Sequence, residues 1–269
     1  MSNTYFSFHD GRWSGRILDG WQETFSNLDQ WLARNSGESI VRFSSREVRR
    51  VDTDRGVVYV KLLYSGSESS GLKKAVTAVK WFLKPSRALA IFNISNEILR
   101  TGFLCPRPLV AARHRTIWGW PTDLFVSEEC LDPTIAQRLQ ANPGEETVRA
   151  LLSAAAAELH RFHQAGFVHG DCTPYNLALN AQNKLVLFDN DRTVRSPWLR
   201  RRLELRSLAA FGLRLTQLTQ SLEPFRFFLN QYAEAAGNAP KSSHRVAADL
   251  RQVMHLTQKR LRERGITLP

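Results

Sequence analysis

Cysteine, acidic charge and long apolar runs are all scarce in this 269-residue sequence. Its three cysteines (Cys105, Cys130, Cys172) are odd in number and scattered, with no C-x-x-C spacing. That argues against a disulfide framework or a zinc site and fits a reducing cytoplasm. No stretch approaches the ~20 apolar residues that cross a bilayer. The opening MSNTYFSFHDGRWSG has no basic segment followed by an apolar one, so no secretory signal is expected. Acids are outnumbered by bases, 25 against 37, for a formal charge of +12. The imbalance predicts attraction to polyanions, whether nucleic acid, anionic lipid or a phosphorylated substrate, without choosing among them. Neither an internal repeat nor a disordered composition is present. With 43% hydrophobic and 23% charged residues, the chain reads as an ordinary globular protein. Its length suits one two-lobed domain or two small ones.

Strand patterns dominate early and helical patterns late. Residues 1–37 carry aromatics without a clear period and read as an extension packed on the main body. Three strand-like runs follow, Glu38–Ser44, Glu47–Asp52 and Val57–Tyr64, separated by Ser44-Ser45 and Asp54-Arg55-Gly56. That spacing predicts an antiparallel meander. After the polar loop Gly66–Gly71, helices are expected over Leu72–Leu83 and Ser86–Thr101, the second ended by Gly102. Pro106 and Pro108 open the next segment, Asp123–Ser127 reads as a strand, and Glu128–Pro133 as a linker between lobes. Beyond it, Val148, Leu151, Leu152, Ala155, Leu159 and Phe162 mark one buried helix face that ends at Gly166. Two short strands, Leu177–Leu179 and Leu185–Phe188, precede a helical tail from Arg200 with breaks near Pro224 and Pro240. The expected organisation is an extension (1–37), a sheet lobe (38–127) and a helical lobe (128–269).

Chemistry concentrates after the long helix, in His169-Gly170-Asp171-Cys172-Thr173-Pro174-Tyr175-Asn176, then Leu185-Val186-Leu187-Phe188-Asp189-Asn190-Asp191. The form is H-x-D-x-x-x-x-N, then an apolar strand ending in D-x-D. It resembles the catalytic loop and magnesium motif of protein kinase-like enzymes. Phosphoryl transfer needs a carboxylate at the acceptor hydroxyl and oxygen ligands for magnesium. The resemblance therefore implies Asp171 as base, Asn176 and Asp189 as magnesium ligands, and His169 as the residue that orients the loop. It also implies ATP and Mg2+ as cofactors, and an α+β, two-lobed protein kinase-like fold with a small antiparallel-sheet N-lobe and a mainly helical C-lobe.

Kinases hold the α- and β-phosphates with a lysine on the third strand. Lys61 lies within the apolar run Val57–Leu63, on the face shared by Tyr59 and Leu63. A charge between apolar neighbours calls for an anionic partner. No G-x-G-x-x-G precedes it. The first hairpin turn holds Ser44-Ser45-Arg46 instead, and its backbone amides or Arg46 would have to cover phosphate. Glu97, late on the second helix, is the candidate partner of Lys61, with Asn93 nearer the usual place. Glu128, opening the linker, joins the nucleotide-binding candidates.

A closer resemblance covers about residues 40–210. It rests on Val58-Tyr59-Val60-Lys61, Ser86-Arg87-Ala88, Gly102–Leu109, His169-Gly170-Asp171, Phe188–Arg192 and the basic stretch Arg195–Arg202. These segments are similar to the lipopolysaccharide core kinases, the Kdo- and heptose-kinase-like proteins. That likeness implies phosphorylation of an inner-core sugar hydroxyl at the cytoplasmic face of the bacterial inner membrane. The partner it implies is an anionic glycolipid, with peripheral contact to anionic membrane. Lys73, Lys74, Lys80 and Lys84 around Trp81-Phe82, and the arginines from Arg195 to Arg206, suit such a surface. No A-P-E follows Asp191, which disfavours a peptide acceptor. A nucleic-acid role would leave the Asp171, Asn176 and Asp189 arrangement without purpose. Two alternatives stand beside this reading: a small-molecule kinase of the aminoglycoside or choline type, and a catalytically silent kinase-fold binding protein.

Overall fold

The computed structural model describes residues 4–64, 85–115, 121–196, 200–236 and 240–266. The expected loop Gly66–Gly71, the helix Leu72–Leu83 with its lysines, and Trp198 lie outside the described residues. The chain divides into two compact units, residues 1–97 with 106–130, and residues 98–105 with 131–269.

The first unit is built on one antiparallel sheet of seven strands, in the order β1-β2-β6-β7-β5-β4-β3. Its strands are β1 (Tyr5–Asp10), β2 (Trp13–Leu18), β3 (Glu38–Phe43), β4 (Arg46–Thr53), β5 (Gly56–Tyr64), β6 (Pro108–His114) and β7 (Thr122–Glu128). The meander β3-β4-β5 falls where the alternation and turn residues put it. The aromatic N-terminal stretch supplies two strands of the same sheet, because Ile17 pairs with Val110 and Trp13 with His114. It also supplies helix α1 (Leu28–Arg34). Trp13, Trp21, Phe25, Leu28 and Trp31 join Val58, Val60, Leu62, Leu124 and Val126 in one core on one face of the sheet.

The opposite face packs on helix α2 (Arg87–Arg100), where Leu63, Ala111 and Phe125 meet Ala88, Ile91 and Phe92. A buried polar clamp fixes where α2 begins. Asp123 accepts from Arg113 Nε at 2.7 Å and Nη2 at 3.0 Å, from Ser86 Oγ at 3.0 Å and from the Arg87 amide at 2.7 Å. Ser86 in turn accepts from the Leu89 amide, so the first free helical N–H groups are satisfied. Glycine at 102 ends the helix in the left-handed region (φ +81°), with Phe103 N–H closing back on Ile98 O at 3.2 Å.

The second unit is mainly helical: α3 (Ile135–Gln140), α4 (Glu145–Gln164), α5 (Arg200–Thr219), α6 (Glu223–Ala235) and α7 (Pro240–Glu263). Leu151, Leu152, Ala155, Leu159 and Phe162 are the buried face of α4, as their spacing requires. Helix α3 is a short element that the hydrophobic pattern does not announce. Thr134 and Gln137 close a full capping box at its start. Two small ladders carry the site: β9 (Leu177–Leu179) with β10 (Leu185–Leu187), and β8 (Phe167–Val168) with β11 (Val194–Arg195).

Candidate active site

His169, Asp171, Asn176 and Asp189 all belong to the helical unit, and a mesh of short hydrogen bonds ties their segments together. His169 is fully buried. Its Nδ1 accepts from the Asp171 amide at 3.2 Å, so the ring proton sits on Nε2, which donates to Phe188 O at 2.7 Å. One imidazole thereby fastens the loop that carries Asp171 to the residue preceding Asp189. Burial holds its pKa below the ordinary histidine range. The Phe188 carbonyl and the nearby Asp189, Asp171 and Asp191 carboxylates pull it up by less, so the ring stays neutral. From behind, Ser207 Oγ on α5 donates to His169 O at 3.2 Å.

Asn176 reaches the Asp171 carboxylate from the other end of the loop. Its Nδ2 donates to Asp171 O at 2.9 Å and to Asp171 Oδ2 at 3.3 Å. Asn176 O accepts from the Phe188 amide at 2.9 Å, a second tie between loop and strand. Between these ends Cys172, Thr173 and Pro174 are buried, whereas Tyr175 is about half exposed. Burial pushes the Cys172 thiol up to about 12, which makes it a packing group rather than a nucleophile.

Asp189 stands at the end of β10 in the left-handed region (φ 52°), starting a 3-10 turn over Asn190–Arg192. Asn190 Nδ2 donates to Leu187 O, and Thr193 donates to Asn190 through both its hydroxyl and its amide. The turn brings the Arg192 backbone against the 169–176 loop. A Cβ at position 170 would come within 2.3 Å of Arg192 O and 2.7 Å of Arg192 Cβ. Only glycine fits between His169 and Asp171 here, which explains the H-G-D form.

The other four expected residues belong to the sheet unit. Lys61 is half-buried at the middle of β5, flanked in register by Val48 and Phe125. It shares the face on which Leu63 and Phe125 meet α2. Glu97 is half-buried in the last turn of that helix, while Asn93 is exposed with Oδ1 toward Arg16 Nη1 at 3.5 Å. Arg46 begins β4 after the two-residue turn Ser44-Ser45, its guanidinium 5.5 Å from the Phe43 ring centroid. Glu128 ends β7. It pairs with Arg107 Nη1 at 3.5 Å and donates its amide to Arg107 O at 2.9 Å.

Sequence reasoning missed Glu47, a buried carboxylate beside the first turn. Arg49 chelates it at 2.9 and 3.1 Å, and Tyr64 OH donates to it at 3.0 Å. Arg49 keeps its pKa below the usual carboxylate range; Tyr64, desolvated and facing this anion, is pushed up to about 12. Its place in the alternating run Arg46–Thr53, level with apolar Leu62, was the available signal.

Residues 25–232 match the family described as "Lipopolysaccharide kinase (Kdo/WaaP) family". The chain belongs to that family. The protein is accordingly a kinase, and its work lies in lipopolysaccharide formation. Among solved structures, it is similar to one described as "WaaP in complex with acyl carrier protein". The TM-score is 0.56 at 16% identity, over 88% of this chain and 97% of that one. That likeness carries the two-lobed kinase-like fold, a sheet-based N-lobe and a helical C-lobe. The bifunctional kinase-methyltransferase WbdD also aligns, at TM-score 0.42 and 17% identity, over 79% of this chain and 47% of that one. No curated protein matches the chain by sequence. No described helix is long and apolar enough to cross a membrane.

Proposed function

We propose that the protein transfers the γ-phosphoryl group of ATP to a sugar hydroxyl of the lipopolysaccharide inner core, with Asp171 as the base. The observation that carries this reading is the double anchoring of Asp171, by the neutral His169 on one side and by Asn176 Nδ2 on the other. His169 holds the residue by its backbone amide and Asn176 holds it by its carboxylate, and neither contact protonates that carboxylate. The acceptor oxygen bonds to the γ-phosphorus as the bond to the β–γ bridging oxygen breaks; Asp171 receives the hydroxyl proton and ADP departs.

The donor set fits magnesium, which takes oxygen ligands from one or two protein side chains and completes its shell with phosphate and water. Asp189 offers a carboxylate at the end of β10 and Asn176 its Oδ1. Among the described residues no group of three or more His, Cys, Asp or Glu side chains forms a cage for a softer metal. When bound, the ion would neutralise charge on the transferring phosphates. Lys61 would hold the α- and β-phosphates with Glu97 as its partner, Arg46 and the Ser44-Ser45 turn would cover the phosphates, and Glu128 would mark the nucleotide-side edge of the linker. An acceptor on a membrane glycolipid fits a net charge of +12 and a peripheral place at the cytoplasmic face.

The test is radiolabelled ATP with purified protein and a panel of core lipopolysaccharide, an aminoglycoside and a generic protein. Label is expected in the glycolipid alone. Transfer to the aminoglycoside, or none to any acceptor, would overturn the assignment.

A further inference from the structure

The proposed chemistry leaves the charge of Arg192, beside the 169–176 loop, unused. The 3-10 turn, the Asn190–Thr193 bonds and the pairing of Val194 with Val168 fix the Arg192 backbone on both sides. Its Cβ lies against Gly170, one peptide from Asp171, so close that residue 170 can carry no side chain. Yet the Arg192 side chain is exposed and meets no carboxylate among the described residues. Arg113, Arg161 and Arg226, by contrast, each hold an acid within 3.0 Å. A guanidinium carried on a fixed backbone, with its Cβ against the residue that precedes Asp171 and no acid of its own, is poised for an oxyanion that arrives with a ligand.

We infer that Arg192 is a specificity residue that binds an anionic group of the acceptor, a sugar carboxylate or a phosphate ester near the hydroxyl that attacks. The inference rests on the sugar-kinase reading above. The acceptor is favoured over the nucleotide because Arg192 is seated at Gly170, on the side of the base, and the base meets the acceptor hydroxyl. The charge pair would orient that hydroxyl toward Asp171, so its loss weakens productive acceptor binding rather than phosphate donation.

Arg192→Gln and Arg192→Lys test this against intact core glycolipid, carboxyl-reduced glycolipid and dephosphorylated glycolipid. The side chain is exposed, so both variants should melt as the wild type does. With intact acceptor, kcat/KM of Arg192→Gln should fall about 10- to 100-fold, the usual effect of losing a charge-assisted hydrogen bond. Arg192→Lys should fall between. KM for ATP and slow hydrolysis of ATP by water should not change. On the acceptor form that lacks the anion Arg192 reads, wild type should drop to the level of Arg192→Gln, and this identifies carboxylate or phosphate. Unchanged acceptor kinetics in Arg192→Gln would overturn the inference and leave the kinase reading intact. A raised KM for ATP with slowed ATP hydrolysis would also overturn it, by assigning the anion to the nucleotide. Wild-type protein that labels no glycolipid at all would instead remove the underlying function.

Discussion

In the reaction proposed above, activity depends on Asp171, whose backbone amide is tied to His169 and whose carboxylate is tied to Asn176. Replacing Asp171 with Asn keeps the shape and removes the proton acceptor. We expect kcat to fall by about 10²- to 10⁴-fold, the span attributed to general base catalysis, while ATP binding measured by thermal shift persists. His169 makes a separate prediction about pH. Its folded pKa lies below the ordinary 6.5, so the unfolded chain takes up a proton first as pH falls. The stability it contributes is full above pH 6.5 and is lost as the pH drops below that value. Denaturant midpoints of wild type and His169→Asn, compared from pH 7.5 to 5.5, should show a shallower decline in the variant. Equal slopes would mean the imidazole is not held neutral.

At the scale of elements, two contacts decide how the site segments are set. The Arg113–Asp123 clamp seats α2 on the sheet, and both side chains are almost wholly buried. Asp123→Ala leaves Arg113 as an uncompensated buried charge and should cost about 3–5 kcal/mol in urea unfolding. Replacing both residues with apolar ones should cost less than the single change. Gly170→Ala forces the Arg192 turn off the 169–176 loop; kcat should drop sharply, with a stability loss of about 1–3 kcal/mol from the overpacking. Legibility followed the strength of local rules. The β3-β4-β5 meander, α2 and α4 were readable because alternation, turn residues and helical spacing agree there. Strand β6 was not, since Leu109-Val110-Ala111-Ala112 is a continuous apolar run without period, as befits a strand buried on both faces. The order of residues in H-G-D-x-x-x-x-N was plain from sequence. The reason for its glycine was not, because the atom that forbids a Cβ belongs to Arg192, distant in the chain.

For the whole molecule, the excess of base over acid makes association a salt-dependent property. Binding to vesicles carrying anionic lipid should fall as salt is raised from 0.1 to 1 M, while the Debye length shrinks from about 10 to 3 Å. Neutral vesicles should show no such trend. The sheet also sets where the chain tolerates cutting. The family match begins at residue 25, past both β1 and β2. A recombinant fragment started there would strip β2 from β6, turning an interior strand into a raw edge and baring the pocket that Trp13 and Ile17 fill. Such a truncated product should collect in inclusion bodies. Choosing expression boundaries by homology alone would therefore discard the two strands that close off the sheet.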